Sequence, residues 1–376
     1  MRILLIEPFF TGSHSAWAEG LRSHSRHEVE ILSLPGRGWK WRMHGGALTL
    51  AREFLARDQD PDLILASDML DLTTFLALTR HRTAGIPAVA YFHENQLAYP
   101  WSPQDRDKAR GTDRHYGFIN LATARAADRV LFNSGYNRDS FLAGLRDLLG
   151  RFRDFRELES IDEIAARSEI LPLGLDLKRM DAHRPDPATD EGRPPLILWN
   201  HRWEHDKNPE GFFRVLCRLA DRGLEFRVAV LGESPGTRIS PIFEEAGRHL
   251  GDRVEAFGYA DSFADYARWL WRADILPVTS YHDFFGISVM EALYCRTFPL
   301  LPWRQAYPEL IPEGWREACF YTEDQELERR LEELLADGRA AIPDTEPLRR
   351  VAAGYDWSVM AVRYDQRLAE IAENPG

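Results

Sequence analysis

At 376 residues, with 44% hydrophobic and 28% charged side chains, the chain is too long for one ordinary core and too apolar to be disordered. A formal net charge of −12 excludes blanket attraction to a polyanion, and no run approaches the roughly 20 apolar residues that cross a bilayer. The acidity is uneven: residues 1–175 carry 22 Lys/Arg against 23 Asp/Glu and the remainder 25 against 36, so a nucleic-acid partner is expected on the first half. Cys217, Cys295 and Cys319 are too widely spaced for a disulfide framework or a metal motif, which suggests a reducing, cytoplasmic setting.

The opening MRILLIEPFF reads as a first buried strand, over 2–6, rather than a signal peptide. A helix over about 15–23 follows, then a strand at 29–34, a helix near 47–57 and strands at 62–67 and 87–93 separated by a helix at 71–82. A helix over 115–127, a strand at 129–134 and a helix from about 137 complete the first half. Near-continuous apolar strands between helices predict a parallel sheet covered on both faces. The stretch DAHRPDPATDEGRPP breaks the pattern and reads as a linker. Strands then recur at 195–200, 225–232, 253–259, 273–280 and 297–302. The helices between them run over 209–222, 240–250, 262–271 and from about 285, with further helices at 324–337 and 356–372. The expected fold class is therefore α/β, with two Rossmann-like lobes facing each other across a cleft. Residues 1–175 form the first, 176–194 the linker, 195–355 the second, and 356–376 a helix returning to the first. In open sheets of this kind ligands bind beyond the carboxyl ends of the strands.

The most informative segment is TSYHDFFGISVMEALYCRTFPLLP, residues 279–302. Asp283 stands eight positions before Glu291, with Gly286 between them where a helix begins. The helix 287–294 is otherwise mostly apolar, so the Glu291 carboxylate must be paired or hydrogen-bonded. Two ribose hydroxyls would satisfy it, and the N–H groups of Gly286, Ile287 and Ser288 suit a phosphate. On spacing alone, a helix cap followed by a paired glutamate explains the pattern equally well. Arg202 and Lys207 lie on the loop after strand 195–200 and suit a diphosphate, although such a pair by itself is more often a solvated loop.

On the first half, Gly12 and Ser13 allow close approach of a phosphate at a helix N-terminus. The missing G-x-G-x-x-G spacing argues against NAD or FAD. His93, Glu94, Asn95 and Gln96 follow a buried strand and so stand on the functional rim. Asn133 and Ser134 end the next strand, either toward the ligand or as helix caps. In PGRGWKWRMHGG, residues 35–46, Trp39 and Trp41 interleave with Arg37, Lys40, Arg42 and His44. Aromatic faces and cations in that order suit splayed bases and phosphates; a tryptophan covering a core edge is the alternative. Basic clusters at Arg146, Arg151, Arg153 and Arg156, and at Arg106, Lys108, Arg110 and Arg114, read as solvated surface. No Asp-x-Asp motif ends a strand, so no catalytic metal is expected.

Segment 279–302 resembles the acidic–seven residues–acidic signature of retaining glycosyltransferases of the GT-B architecture. More narrowly, EPFFTGSHSAW, LPGRGWKWRMHGGA, FHENQLAYP, FNSGYNRDSF, HRWEHDKNP and YHDFFGISVMEA, in that order, resemble the tRNA-queuosine alpha-mannosyltransferases from Glu7 to Pro308. The resemblance implies transfer of mannose from GDP-mannose to the cyclopentene-diol of queuosine at the wobble position of tRNA-Asp, with no cofactor. It makes Asp283, a glutamate in most members, a contact of the donor sugar, and Glu291 the ribose ligand. Arg202 and Lys207 would neutralise the diphosphate, Gly12 and Ser13 would line its other side, and Gly258 with Tyr259 would border the base. His93 would lie against the donor sugar, and Glu94 is the alternative base or nucleophile. Arg37, Trp39, Lys40, Trp41, Arg42, His44, Asn95, Gln96 and Asn133 would meet the acceptor. A glycosyltransferase acting on a small molecule, lipid or glycan, and a non-catalytic RNA-binding protein, are the rival expectations.

Overall fold

Strands form where the apolar runs were expected, and almost every residue of the central ones is buried. In the computed structural model, which describes residues 1–101, 114–186, 192–232 and 241–374, the first sheet contains six strands. They are β1 (Arg2–Phe10), β2 (Glu28–Pro35), β3 (Leu63–Ser67), β4 (Ala88–Phe92), β5 (Arg129–Phe132) and β6 (Ser168–Ile170). All pairings are parallel, in the order β2-β1-β3-β4-β5-β6. The second sheet is built from β7 (Leu196–Trp199), β8 (Arg227–Leu231), β9 (Val254–Gly258), β10 (Ile275–Pro277), β11 (Phe298–Pro302) and β12 (Phe320–Tyr321). It is also parallel, in the order β12-β11-β10-β7-β8-β9. Each order reverses direction once, between β1 and β3 in the first sheet and between β7 and β10 in the second. At such a switch point the connections leave on opposite faces and open a crevice at the carboxyl edge, where ligands bind.

Contacts divide the chain into two units, Met1–Leu175 with Trp357–Gly376, and Asp176–Asp356. The second is thus inserted in sequence within the first. Part of the stretch expected as linker folds with the second unit: Lys178–His183 is a 3-10 helix with Met180 buried. The Asp356 carboxylate accepts the N–H groups of Leu177 and Lys178 at 3.1 and 2.9 Å. Residues 187–191 lie outside the described residues.

The helix Trp357–Glu373 is anchored in the first unit. Trp357 is buried against Gly20 and Gly174, where a Cβ would stand 2.0 and 2.4 Å from indole atoms. Asp365 accepts from the Ser25 hydroxyl and the Arg26 N–H at 2.5 and 2.9 Å. Truncating a buried tryptophan of this kind to alanine costs about 3–5 kcal/mol.

One element begins earlier than the sequence suggests. The helix expected near 47 runs from Trp39 to Leu55, entered through Gly38 at φ 61°. Most of the tryptophan segment is therefore helix, not loop. Gly45 and Gly46 lower helix propensity yet serve packing here: a Cβ on Gly45 would lie 2.6 Å from the Trp41 ring, and one on Gly46 3.1 Å from Pro8.

Candidate active site

Both switch points carry buried polar side chains. In the first unit, Glu7 ends the apolar part of β1, Asp68 follows β3, and His93 follows β4. The Glu7 carboxylate accepts from the Phe9 N–H at 2.8 Å and pairs with His14 Nδ1 at 2.9 Å. The imidazoles of His14 and His93 are 4.4 Å apart, and Trp17 and Tyr91 pack on His93 at 4.6 and 4.9 Å. Asp68 Oδ1 accepts the His93 N–H at 2.8 Å. Asp68 Oδ2 and His93 Nε2 are buried and have no hydrogen-bond partner among the described residues.

Charge explains the protonation states. Burial alone would lower the His14 pKa, but Glu7 by charge and hydrogen bond, with Asp68 and Glu94 behind it, overrides this and raises it to about 9. Burial, then the His14 cation, hold His93 well below the usual histidine range. Burial drives Asp68 well above the usual carboxylate range against the opposing pull of His14. Two adjacent histidines thus take opposite charge states, His14 cationic and His93 neutral. Glu7, His14 and His93 also offer ligand atoms within 4.8 Å of one another and are, among the described residues, a set that could hold a metal. In the structure, Glu7 and His14 are already paired with each other.

The polar residues expected on the rim are positioned by an amide network. Asn133 Nδ2 donates to the His93 carbonyl at 2.8 Å, while its Oδ1 accepts from Asn137 at 3.0 Å. Asn95 Nδ2 donates to Asn137 Oδ1 at 2.9 Å, and its own Oδ1 accepts the Ala98 N–H. Asn120 accepts the Gln96 N–H at 2.9 Å and donates to the Asp68 carbonyl at 2.9 Å. Glu94, half-buried, accepts from Gln96 Nε2 at 2.8 Å. Asn95 and Asn133 therefore hold the loop that carries His93, and Ser134 caps the next helix through the Asn137 N–H. Gly12, at φ 53°, and Ser13 are exposed in the first turn of the helix Gly12–His24.

The tryptophan segment separates into two roles. Trp39 is half-buried against Met43, Met69 and Tyr116 and so covers a core edge, with Lys40 Nζ 5.6 Å above it. Trp41 is 66% exposed. Arg37 and His44 are also exposed, His44 lies 4.8 Å from His115 ring to ring, and Arg42 Nε donates to the Pro35 carbonyl. Arg106, Lys108 and Arg110 lie outside the described residues.

In the second unit, Asn200 and His201 follow β7, and Thr279 to Asp283 follow β10, on the two sides of the switch point. Lys207 is 8% exposed. Its Nζ donates to the His282 carbonyl at 2.9 Å and lies 3.3 Å from Asp206 and 3.5 Å from Asp283. Burial opposes the ammonium charge, yet Asp283 and Asp206 raise the Lys207 pKa. Burial would raise that of Asp283, but Lys207 chiefly holds it low. Asp283 also accepts from the Gly286 N–H at 3.0 Å and the Tyr307 hydroxyl at 3.3 Å. Gly286 stands at φ 95°, where a side chain is strained. Asp283 thus ties down the residue at which the helix begins without capping its first turn, and the Gly286 N–H expected for phosphate is occupied.

Glu291 faces the same region from the helix Ile287–Tyr294. It accepts from the Tyr266 hydroxyl at 2.6 Å, and burial raises its pKa to about 7 against that bond. Asn200 Nδ2 donates to the Ser288 carbonyl at 2.9 Å, and the Ser288 hydroxyl meets His201 Nδ1 at 2.9 Å. His201 is lowered to about 4 by burial and Lys207, and its Nε2 is buried without a hydrogen-bond partner among the described residues. Ile287 is half-buried at the start of the helix. Arg202 is largely exposed and pairs with Glu204 at 3.2 Å. Gly258, at φ 121°, ends β9, and Tyr259 beyond it is 74% exposed.

Sequence reasoning missed Glu7 and Asp68 as strand-end acids, the pairing of His14, and the supporting set Asn200, His201, Asp206 and Tyr266. An acid directly after an apolar strand was the available signal for Glu7 and Asp68. Their partners, two and seven residues on for Glu7 and 25 and 52 residues on for Asp68, left none.

Residues 2–175 match the family described as tRNA-queuosine alpha-mannosyltransferase N-terminal, and residues 181–350 match glycosyl transferases group 1. A Drosophila melanogaster tRNA-queuosine alpha-mannosyltransferase is 34% identical over 83% of this chain and 82% of its own length. A Mycobacterium tuberculosis GDP-mannose-dependent alpha-(1-6)-phosphatidylinositol dimannoside mannosyltransferase is 25% identical over 67% of this chain and 59% of its own. Among solved structures, sucrose-phosphate synthase from Thermosynechococcus elongatus superimposes with a TM-score of 0.70 at 16% identity, covering 99% of both chains. That likeness, with two parallel six-stranded sheets, shows the GT-B fold class.

Proposed function

Since the chain belongs to the tRNA-queuosine alpha-mannosyltransferase family, we propose that this glycosyltransferase moves mannose from GDP-mannose to queuosine at the wobble position of tRNA-Asp, with retention of configuration. The observation that carries the acceptor is the match of residues 2–175 to a family defined by it. The mycobacterial relative's dependence on GDP-mannose supports the donor. No helix among the described residues is long and apolar enough to cross a membrane, and action on tRNA points to the cytoplasm.

The second unit supplies the donor chemistry. Lys207, with Arg202 on the same loop, offsets the charge that develops on the departing diphosphate, and the Glu291 carboxylate takes the ribose hydroxyls. Asp283 holds Lys207 and, through the Gly286 N–H, the start of the helix that carries Glu291. In a retaining reaction on one face of the sugar, the leaving phosphate itself accepts the proton of the attacking hydroxyl. Catalysis is then chiefly charge stabilisation and positioning. A resident metal has no step to perform in this reading.

The test is direct. The protein is incubated with GDP-mannose and queuosine-containing tRNA, the tRNA is digested and its nucleosides are weighed. A hexose increment on queuosine is expected; its absence with every nucleotide sugar tried would refute the tRNA acceptor.

A further inference from the structure

We infer that Tyr266 is a positioning residue for the nucleotide sugar: its hydroxyl holds one oxygen of the Glu291 carboxylate and leaves the other for the ribose. This rests on the donor reading above, in which Glu291 takes the ribose hydroxyls. Tyr266 lies in the helix Phe263–Arg272 and Glu291 in the helix Ile287–Tyr294, two elements packed together within the second unit. The phenol donates to Glu291 Oε2 at 2.6 Å. Oε1 has no hydrogen bond among the described residues and, in a half-buried side chain, is still reached by solvent. An ionised carboxylate oxygen accepts more than one hydrogen bond, so Oε1 has room for ribose hydroxyls. Asn200, at the end of β7, donates to the Ser288 carbonyl at 2.9 Å and stands 3.4 Å from the Tyr266 hydroxyl. The strand end therefore braces both helices.

The bond has an electrostatic consequence. A hydroxyl that donates to a carboxyl group favours its ionised form, and that form is the better acceptor for ribose hydroxyls. Burial raises the Glu291 pKa to about 7, and the Tyr266 bond opposes this. Burial, then Glu291, hold the Tyr266 phenol well above the usual tyrosine range, so it stays a donor. The other groups around the helix Ile287–Tyr294 act elsewhere. His201, neutral, meets Ser288 three residues before Glu291. Burial, then Glu291 and Asp181, keep the Cys295 thiol protonated against Arg349 and Arg184. Lys207 and Asp283 are paired with each other. Among the described residues, Tyr266 is thus the side chain that holds the carboxylate.

The experiment uses the full chain and GDP-mannose, whose bridging diphosphate keeps one charge state from pH 6 to 8.5. Affinity is measured by calorimetry across that range. The wild type is expected to bind more tightly as pH rises, with a midpoint near 7. Tyr266→Phe should move the midpoint up by about one pH unit. Binding is then about fivefold weaker at pH 7 and within about twofold of wild type at pH 8.5. In transfer assays at pH 7, KM for GDP-mannose should rise by a similar factor while kcat stays within about twofold. Added to Glu291→Gln, Tyr266→Phe should bring no further pH dependence. A tyrosine that serves only the fold lowers affinity equally at every pH. That result, an unmoved midpoint, or a wild type without one overturns this inference and leaves the donor reading standing, whereas a wild type that does not bind GDP-mannose removes both. Should Tyr266→Phe fail to fold, Glu291→Asp draws the carboxylate back from the phenol by one methylene. Aspartate is intrinsically the stronger acid, so a midpoint that nonetheless rises is the expected result, and one that falls or stays refutes the role of Tyr266.

Discussion

The two switch points use buried charge in opposite ways. In the second unit the central group is a cation, Lys207, whose ammonium already has three oxygens around it, from Asp206, His282 and Asp283. In the first unit the central groups are an acid and a neutral imidazole, each with a buried atom that no described residue completes. The Lys207 ammonium has its partners before any ligand arrives and binds by adding to or exchanging them, while His201 Nε2 in the same unit has none among the described residues. The first-unit site is incomplete and gains partners only from what enters. The Lys207 arrangement suits a leaving group whose charge changes during reaction, because its cation is held at fixed geometry throughout. The incomplete one suits discrimination, since a ligand lacking the right polar groups leaves it unpaired.

The comparison can be tested at several points. The largest effect is expected from Lys207→Ala, which removes the cation and leaves Asp206 and Asp283 buried together. Steady-state kinetics should show kcat/KM for transfer falling about 100- to 1000-fold, with a lowered Tm. A near-wild-type rate would mean that Lys207 serves only the fold. Next comes Glu7→Gln. With the His14 pKa raised from 6.5 to about 9, the wild type holds this contribution fully below about pH 6.5 and loses it as pH rises through 9. It amounts to at most about 3 kcal/mol. Urea unfolding at pH 6.5 and 9.5 should show the gap between wild type and variant closing at the higher pH.

Glu291→Gln should weaken GDP-mannose binding about tenfold by calorimetry. Because the wild-type carboxyl titrates near 7, donor affinity should rise about tenfold from pH 6 to 8 as the carboxylate forms. The glutamine variant should lack that slope; a slope that survives assigns the titration elsewhere. The smallest effect belongs to Trp41→Ala, which removes an exposed ring and touches neither switch point. It should weaken tRNA binding by about 1 kcal/mol with donor affinity unchanged.

The alternation of apolar runs made both sheets legible, because parallel strands buried on two faces carry their signal in consecutive residues. That Glu291 must be hydrogen-bonded was legible too, from a lone acid in an apolar helix. The helix from Trp39 was not, since Gly45 and Gly46 mimic a loop in composition while their lack of a Cβ admits Trp41 and Pro8. Nor was the bond of Asp283 to the Gly286 N–H distinguishable from an open phosphate site, because spacing does not say which acceptor an N–H will find. The pairs Glu7–His14 and Tyr266–Glu291 join residues set by fold geometry. Asn95 and Asn133 looked like ligand contacts because amides on a functional rim and amides bracing one have the same sequence signature.

The helix Trp357–Glu373 has a consequence for synthesis. Its Tyr364 hydroxyl accepts from Trp17 Nε1 at 3.1 Å and meets the Tyr91 hydroxyl at 2.8 Å, so the aromatic wall behind His93 includes a residue made only after the whole second unit. The contiguous unit Asp176–Asp356 emerges in between, which at 5–20 residues per second takes roughly 10–40 s. During that interval the nascent amino-terminal half has no Trp357 to fill the space over Gly20 and Gly174. The portion made second can finish folding first, and the portion made first waits for the helix Trp357–Glu373.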